Sequence, residues 1–173
     1  MNKPVDRPPL IRLAVSADAE ALSALILRTI RESNAEDYPP DEIERVCASF
    51  TPEEVAKQIA ARDVFVSFAP GSSQASPETP PIGTVSLGVK PRLSGGETAK
   101  LHVLFVAPEW QGRGLGLRLV AHLEAHALRQ GHRLLQVSSS LTARQFYQRL
   151  GYRELAFEPR AEGSTYLMEK PLV

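Results

Sequence analysis

Leu104-Phe105-Val106-Ala107-Pro108-Glu109-Trp110-Gln111-Gly112-Arg113-Gly114-Leu115-Gly116 is the stretch that decides the fold. It reads as the end of a buried strand, a tight loop with glycines, and the start of a long amphipathic helix. Leu119, Val120, Leu123 and Ala127 mark the apolar stripe of that helix, and Gly131 ends it as a C-cap glycine would. The first N–H groups of a helix have no intrahelical partners, and the helix dipole adds partial positive charge there. Glycine lets the backbone approach a bulky anion and adopt positive φ. The loop therefore suits a phosphate or pyrophosphate. Taken alone, the same glycines also fit a purely structural turn. The spacing Gly-x-Gly-x-Gly differs from the Gly-x-Gly-x-x-Gly of a dinucleotide fold. No Lys-Ser/Thr pair closes the loop as in a nucleotide P-loop.

On the N-terminal side, Leu10 to Val15 reads as a short strand and Ala17 to Ser33 as a helix carrying Leu22, Leu25, Ile26 and Ile30 on one face. Pro39-Pro40 breaks the chain, and a second helix begins near Asp41. Thr51-Pro52-Glu53-Glu54 starts a third, with Thr51 as cap, Pro52 at the first position and Glu54 completing a capping box. Strands follow at Val64–Ala69, Ile82–Lys90 and Thr98–Val106, with a Pro/Ser/Gly-rich hairpin loop at Pro70–Pro81. Beyond the Leu115–Gln130 helix come a strand at Leu134–Ser138, a helix at Thr142–Leu150, and strands at Tyr152–Phe157 and Thr165–Lys170. This order predicts one α+β domain over residues 10–173 with a largely antiparallel sheet, after a flexible N-terminus at 1–9.

The chain has 173 residues, 43% hydrophobic, which is enough for one core. Lys plus Arg equals Asp plus Glu at 20 each. No global field draws the chain to nucleic acid or to an anionic membrane, and neither partner is expected. One cysteine, Cys47, excludes an internal disulfide and a Cys-based metal cluster. It sits in a helical pattern beside Val46 and is expected as a small core residue rather than a nucleophile. No stretch has signal-peptide or membrane-span character, so the expected location is the cytoplasm.

Two segments together resemble the GCN5-related N-acetyltransferase (GNAT) superfamily. Gln111-x-x-Gly114-x-Gly116 is similar to its pyrophosphate signature, Gln/Arg-x-x-Gly-x-Gly/Ala, placed between a fourth strand and the third main helix. Ala143-Arg144-x-Phe146-Tyr147-x-x-Leu150-Gly151-Tyr152 resembles the Ala-x-x-Phe-Tyr-x-x-x-Gly-Phe segment that follows. The resemblance covers residues 100–152. It implies a three-layer α/β/α sandwich with splayed central strands and an acetyl-CoA cosubstrate, without a metal. It implies an enzyme that acetylates a primary amine by direct attack in a ternary complex; a non-catalytic acyl-CoA sensor on the same fold is the alternative. Gln111, Gly112, Arg113, Gly114, Leu115 and Gly116 would hold the pyrophosphate. The backbone of Leu104, Phe105 and Val106 would pair with the pantetheine arm. Tyr147 falls where the family often has a tyrosine that protonates the departing thiolate. Many relatives are homodimers, so self-association is implied as well.

Two positions depart from the family pattern. Ser140 stands where an asparagine is frequent, and its hydroxyl can still hydrogen-bond the cofactor. Lys100 stands where many members carry a glutamate base, and an ammonium cannot accept a proton. His102, two residues on, has a side chain whose ordinary pKa suits base work, although it can equally be a packed or surface histidine. Glu97 and water in the cleft are other candidates. His122 and His126 lie four apart without a third ligand and are expected on a solvated helix face. Glu32, Glu36, Asp37, Asp41, Glu42 and Glu44 form an acidic run near the expected acceptor side. It would favour a cationic amine, or be an ordinary solvated surface.

Overall fold

The computed structural model of the chain describes residues 8–33, 38–72, 79–91, 96–159 and 164–173. The elements are β1 (Leu10–Leu13), α1 (Ala19–Ser33), α2 (Pro40–Cys47), α3 (Pro52–Ala61), β2 (Asp63–Phe68), β3 (Gly83–Pro91), β4 (Glu97–Val106), α4 (Leu115–Arg129), β5 (Leu134–Ser139), α5 (Arg144–Arg149), β6 (Arg153–Glu158) and β7 (Thr165–Pro171). Their order is the one the sequence predicts. Most of the N-terminal segment, part of the 70–81 loop, and Glu36 and Asp37 of the acidic run lie outside the described residues.

Helix ends follow local chemistry. Thr51 caps α3 by accepting from the Glu54 N–H at 3.3 Å. The predicted capping box is only half made, because the Glu54 carboxylate turns outward to Lys57. The Ala17–Ser33 helix opens as a 3-10 turn at Ser16–Asp18, where the Asp18 carboxylate takes the Val15 N–H and the Arg12 guanidinium. Gly131 stands at φ +89 and passes its N–H to Leu128, while the His132 N–H reaches Ala127. This is the left-handed stop expected of it.

Among the described residues, one seven-stranded sheet runs in the order β1-β2-β3-β4-β5-β7-β6. Every pairing is antiparallel except that of β4 with β5. Alternation along the strands divides the interior into two cores. Phe65, Val85, Leu87, Ala99, Leu101, Leu135 and Met168 face α4. Val64, Val66 and Phe68 face α1 and α3, with Cys47 buried among the helices on that side. Helices thus cover both faces, and burial raises the Cys47 pKa.

His122 and His126 correct one expectation. They do not lie on a solvated face: both pack edge-on against Phe65, and His126 Nε2 meets Asp63 at 2.7 Å. The face of α4 that carries them rests on β2, so the residues serve the helix–sheet contact. At the far edge, β6 exposes Leu155 and Phe157.

Leu123 of α4 is completely buried in the larger core. Leu123→Ala is expected to destabilise the fold by about 2–5 kcal/mol, through lost burial and the cavity left behind. Urea unfolding measures it, and a loss below about 1 kcal/mol would contradict the packing described.

Candidate active site

The site begins where β4 and β5 stop pairing. Their register is Ala99↔Leu135, Lys100↔Gln136 and Leu101↔Val137, and it ends there. β4 continues to Val106 along β3, and β5 continues to Ser139 along β7. The two strands therefore splay, and a cavity of about 710 Å³ opens between them. Leu104, Phe105 and Val106 line one side, and Ser138, Ser139 and Ser140 the other. α1 contributes Thr29, α2 contributes Glu42 and Val46, and Tyr38 joins them from just before α2.

The glycine loop closes one end. Gly114 is the N-cap of α4 at φ 79 and ψ 4, and among the described residues no side chain caps the helix. An added Cβ at Gly112 or Gly114 would meet nothing within 4 Å, so these glycines answer to backbone conformation. Gly116 differs: a Cβ there would sit 3.4 Å from the Phe146 ring. The first-turn N–H groups of Leu115, Gly116 and Leu117 are left pointing out of the helix, as helix geometry requires. Gln111 anchors the loop, with Nε2 donating to Val106 O at 3.0 Å and to Ser33 Oγ at 2.9 Å. The Arg113 guanidinium lies 5.5 Å from the centre of the Trp110 ring.

Tyr147, on α5, is buried and lines the same cavity. Its ring meets Phe146 and Tyr152 edge-on. Burial raises its phenol pKa, so the group stays protonated. Ser140 Oγ accepts the Ala143 N–H at 3.2 Å, which places it in the turn entering α5.

The β4 candidates separate. Lys100 is buried, and its Nζ donates to Ser138 Oγ at 2.7 Å; Ser138 in turn donates to Glu158 at 3.1 Å. Lys100 thus ties β4 to β5 at the level where they part. Glu97 is exposed at the start of the strand and is not among the residues lining the cavity. His102 does line it. The register passes from Ser86↔Val103 to Leu87↔Leu101, leaving His102 as the extra residue of a β-bulge. Its ring covers Gly88, where a Cβ would come within 2.6 Å of Nε2. Burial, then Arg62, Lys100 and Lys90, lower its pKa to about 4. The near-neutral value of an ordinary imidazole is therefore not available to it.

Residues 34–170 match the acetyltransferase (GNAT) domain family. The chain belongs to the GNAT acetyltransferase family. A 61-residue stretch, 34% of this chain, is 34% identical to an uncharacterized N-acetyltransferase of Methanocaldococcus jannaschii and spans 27% of that relative's length. Among solved structures, a GCN5-related N-acetyltransferase from Rhodopseudomonas palustris aligns with a TM-score of 0.79 at 23% identity, covering 99% of this chain and 100% of the other. The paiA N-acetyltransferase of Thermoplasma acidophilum, solved with coenzyme A, gives 0.76 at 18% identity, covering 95% and 99%. The yncA protein of Salmonella typhimurium, solved with its cofactor acetyl-CoA, gives 0.64 at 22%, covering 95% and 94%. These likenesses show the GNAT fold.

For this GNAT chain the bulge histidine gives a measurable sign. Unfolded His102 protonates near 6.5 and folded His102 near 4. Between those values the unfolded state binds the extra proton, so stability falls as pH drops through that window. His102→Gln is expected to flatten part of that slope. In the wild type, an NMR titration should place the His102 midpoint near 4; a midpoint near 6.5 would contradict the packing against Gly88.

Proposed function

We propose that this GNAT protein is an acetyl-CoA-dependent N-acetyltransferase that acts on a primary amine by direct attack in a ternary complex. The observation that carries the proposal is the cavity between the splayed strands, opening onto the uncapped start of α4. That arrangement fits a ligand with an anionic head and an extended arm. The backbone at Gly112–Leu117 suits a pyrophosphate, since exposed N–H groups and the helix dipole both favour negative charge. The β5-facing edge of β4 past Leu101 suits an amide-bearing arm, because a strand edge offers backbone donors and acceptors. The CoA and acetyl-CoA recorded in the Thermoplasma and Salmonella proteins support the same assignment.

Acetyl-CoA, as cosubstrate, supplies an activated acetyl thioester. The chain's own residues then divide the work. Leu104, Phe105 and Val106 orient the arm, and Gln111 keeps the loop against β4. Ser140 steadies the turn that leads into α5. Tyr147, held protonated by burial, gives its proton to the departing sulfur. His102, neutral and lining the cleft, relays the proton shed by the amine onward to water rather than retaining it, because burial and then the cations around it keep its basicity low.

Tyr147→Phe removes one hydroxyl and keeps the ring packing against Phe146 and Tyr152. Stability should change by about 1 kcal/mol or less. Turnover with a good amine acceptor should fall about 10²-fold, the lower range for a general acid. Acetyl-CoA affinity by calorimetry should stay the same. Full kcat in the variant, with chemistry limiting the rate, would make Tyr147 structural. Acetyl-CoA binding without turnover of any amine in a broad panel would favour the sensor.

A further inference from the structure

Glu42 stands apart from the other described carboxylates of the acidic run on α2. Asp41 pairs with Arg45, and Glu44 pairs with Arg31, on exposed surface. Glu42 instead lines the cavity, as the only Asp or Glu among its described lining residues. Its Oε1 is shut off from solvent and has no hydrogen-bond partner among the described residues. A carboxylate oxygen removed from water without a partner costs free energy.

Helix capping does not absorb this group. Glu42 is the third residue of α2, the position from which a glutamate normally reaches back to the N-cap N–H. Here the N-cap is Pro39 and the first helical residue is Pro40. Proline has no N–H to offer. Glu42 is left at the cavity without that partner, beside a wall built by Ile30, Ile43, Val46 and Phe50.

That placement constrains the acceptor. The attacking nitrogen must be neutral, and a carboxylate beside it would favour its charged form. A cation that stays charged throughout gains more from Glu42. We propose that Glu42 receives a second, non-reacting ammonium of the acceptor. The acceptor class is then a primary amine joined to another cationic group by an aliphatic spacer, whose methylenes meet the apolar wall. The inference rests on the transferase reading of the same cleft.

Two amines of equal chain length test it: 1,4-diaminobutane and 1-aminobutane. In calorimetry on CoA-saturated protein, Glu42→Gln should weaken diamine binding about tenfold or more, as expected for a lost charged contact. Glu44→Gln, on the outer surface, should leave diamine binding unchanged. CoA affinity should be the same in both variants, which also reports an intact fold. In turnover, kcat/KM for the diamine should exceed that for the monoamine about tenfold in the wild type, and the gap should close in Glu42→Gln, mainly through KM. Unchanged diamine affinity in Glu42→Gln overturns the inference. So does equal kcat/KM for the two amines in the wild type; monoamine turnover in that case leaves the transferase reading standing. Failure of the wild type to bind CoA overturns both.

Discussion

Parallel pairing of β4 with β5 holds for only three residue pairs, and the remainder of β4 keeps one neighbour where an interior strand has two. Backbone groups on that edge need partners from somewhere other than the sheet. Gln111 supplies one, at Val106 O. The partly buried network from Lys100 through Ser138 to Glu158 sits at the fork and joins the strands by side chains where their ladder ends. The position of α4 depends on the same fork. β4 delivers the chain to the mouth of the gap, the left-handed Gly114 turns it, and the first turn of α4 borders the cavity with Gly116 and Leu117.

Charge in the cleft is arranged unlike the simplest version of the chemistry. The strand position where the family resemblance led to the expectation of a carboxylate holds Lys100, which is committed to the fork. The histidine two residues on is kept neutral by burial and then by the cations around it. A carboxylate residue does line the cleft, but it comes from α2 rather than from β4. In low-dielectric surroundings such separations matter, because charges act at greater strength than in water. On the proposed reading, proton removal from the amine and recognition of the acceptor would fall to different elements.

Much of this was legible in the sequence, and the reasons differ by residue. The loop and α4 were legible because glycine spacing, helical periodicity and Gly131 all point to the same local structure. The element order followed from strand and helix periods. The bulge at His102 was not legible, since alternation by twos presumes an unbroken ladder. The packing of His122 and His126 on Phe65 depends on which face of α4 meets β2, a tertiary matter. The inward aim of Glu42 was hidden among six carboxylates of similar local context. Pro39-Pro40 was the available signal, because it removes the N–H groups that a glutamate at Glu42 would otherwise cap.

The fork and the start of α4 should act as one binding surface for CoA. Amide hydrogen exchange read by mass spectrometry, with and without CoA, tests this most directly. The account predicts that CoA slows exchange in peptides spanning Val103–Val106 and Gly112–Leu117, and leaves β1 and β2 unchanged. Protection confined to other segments, or none at either of these two, would contradict it.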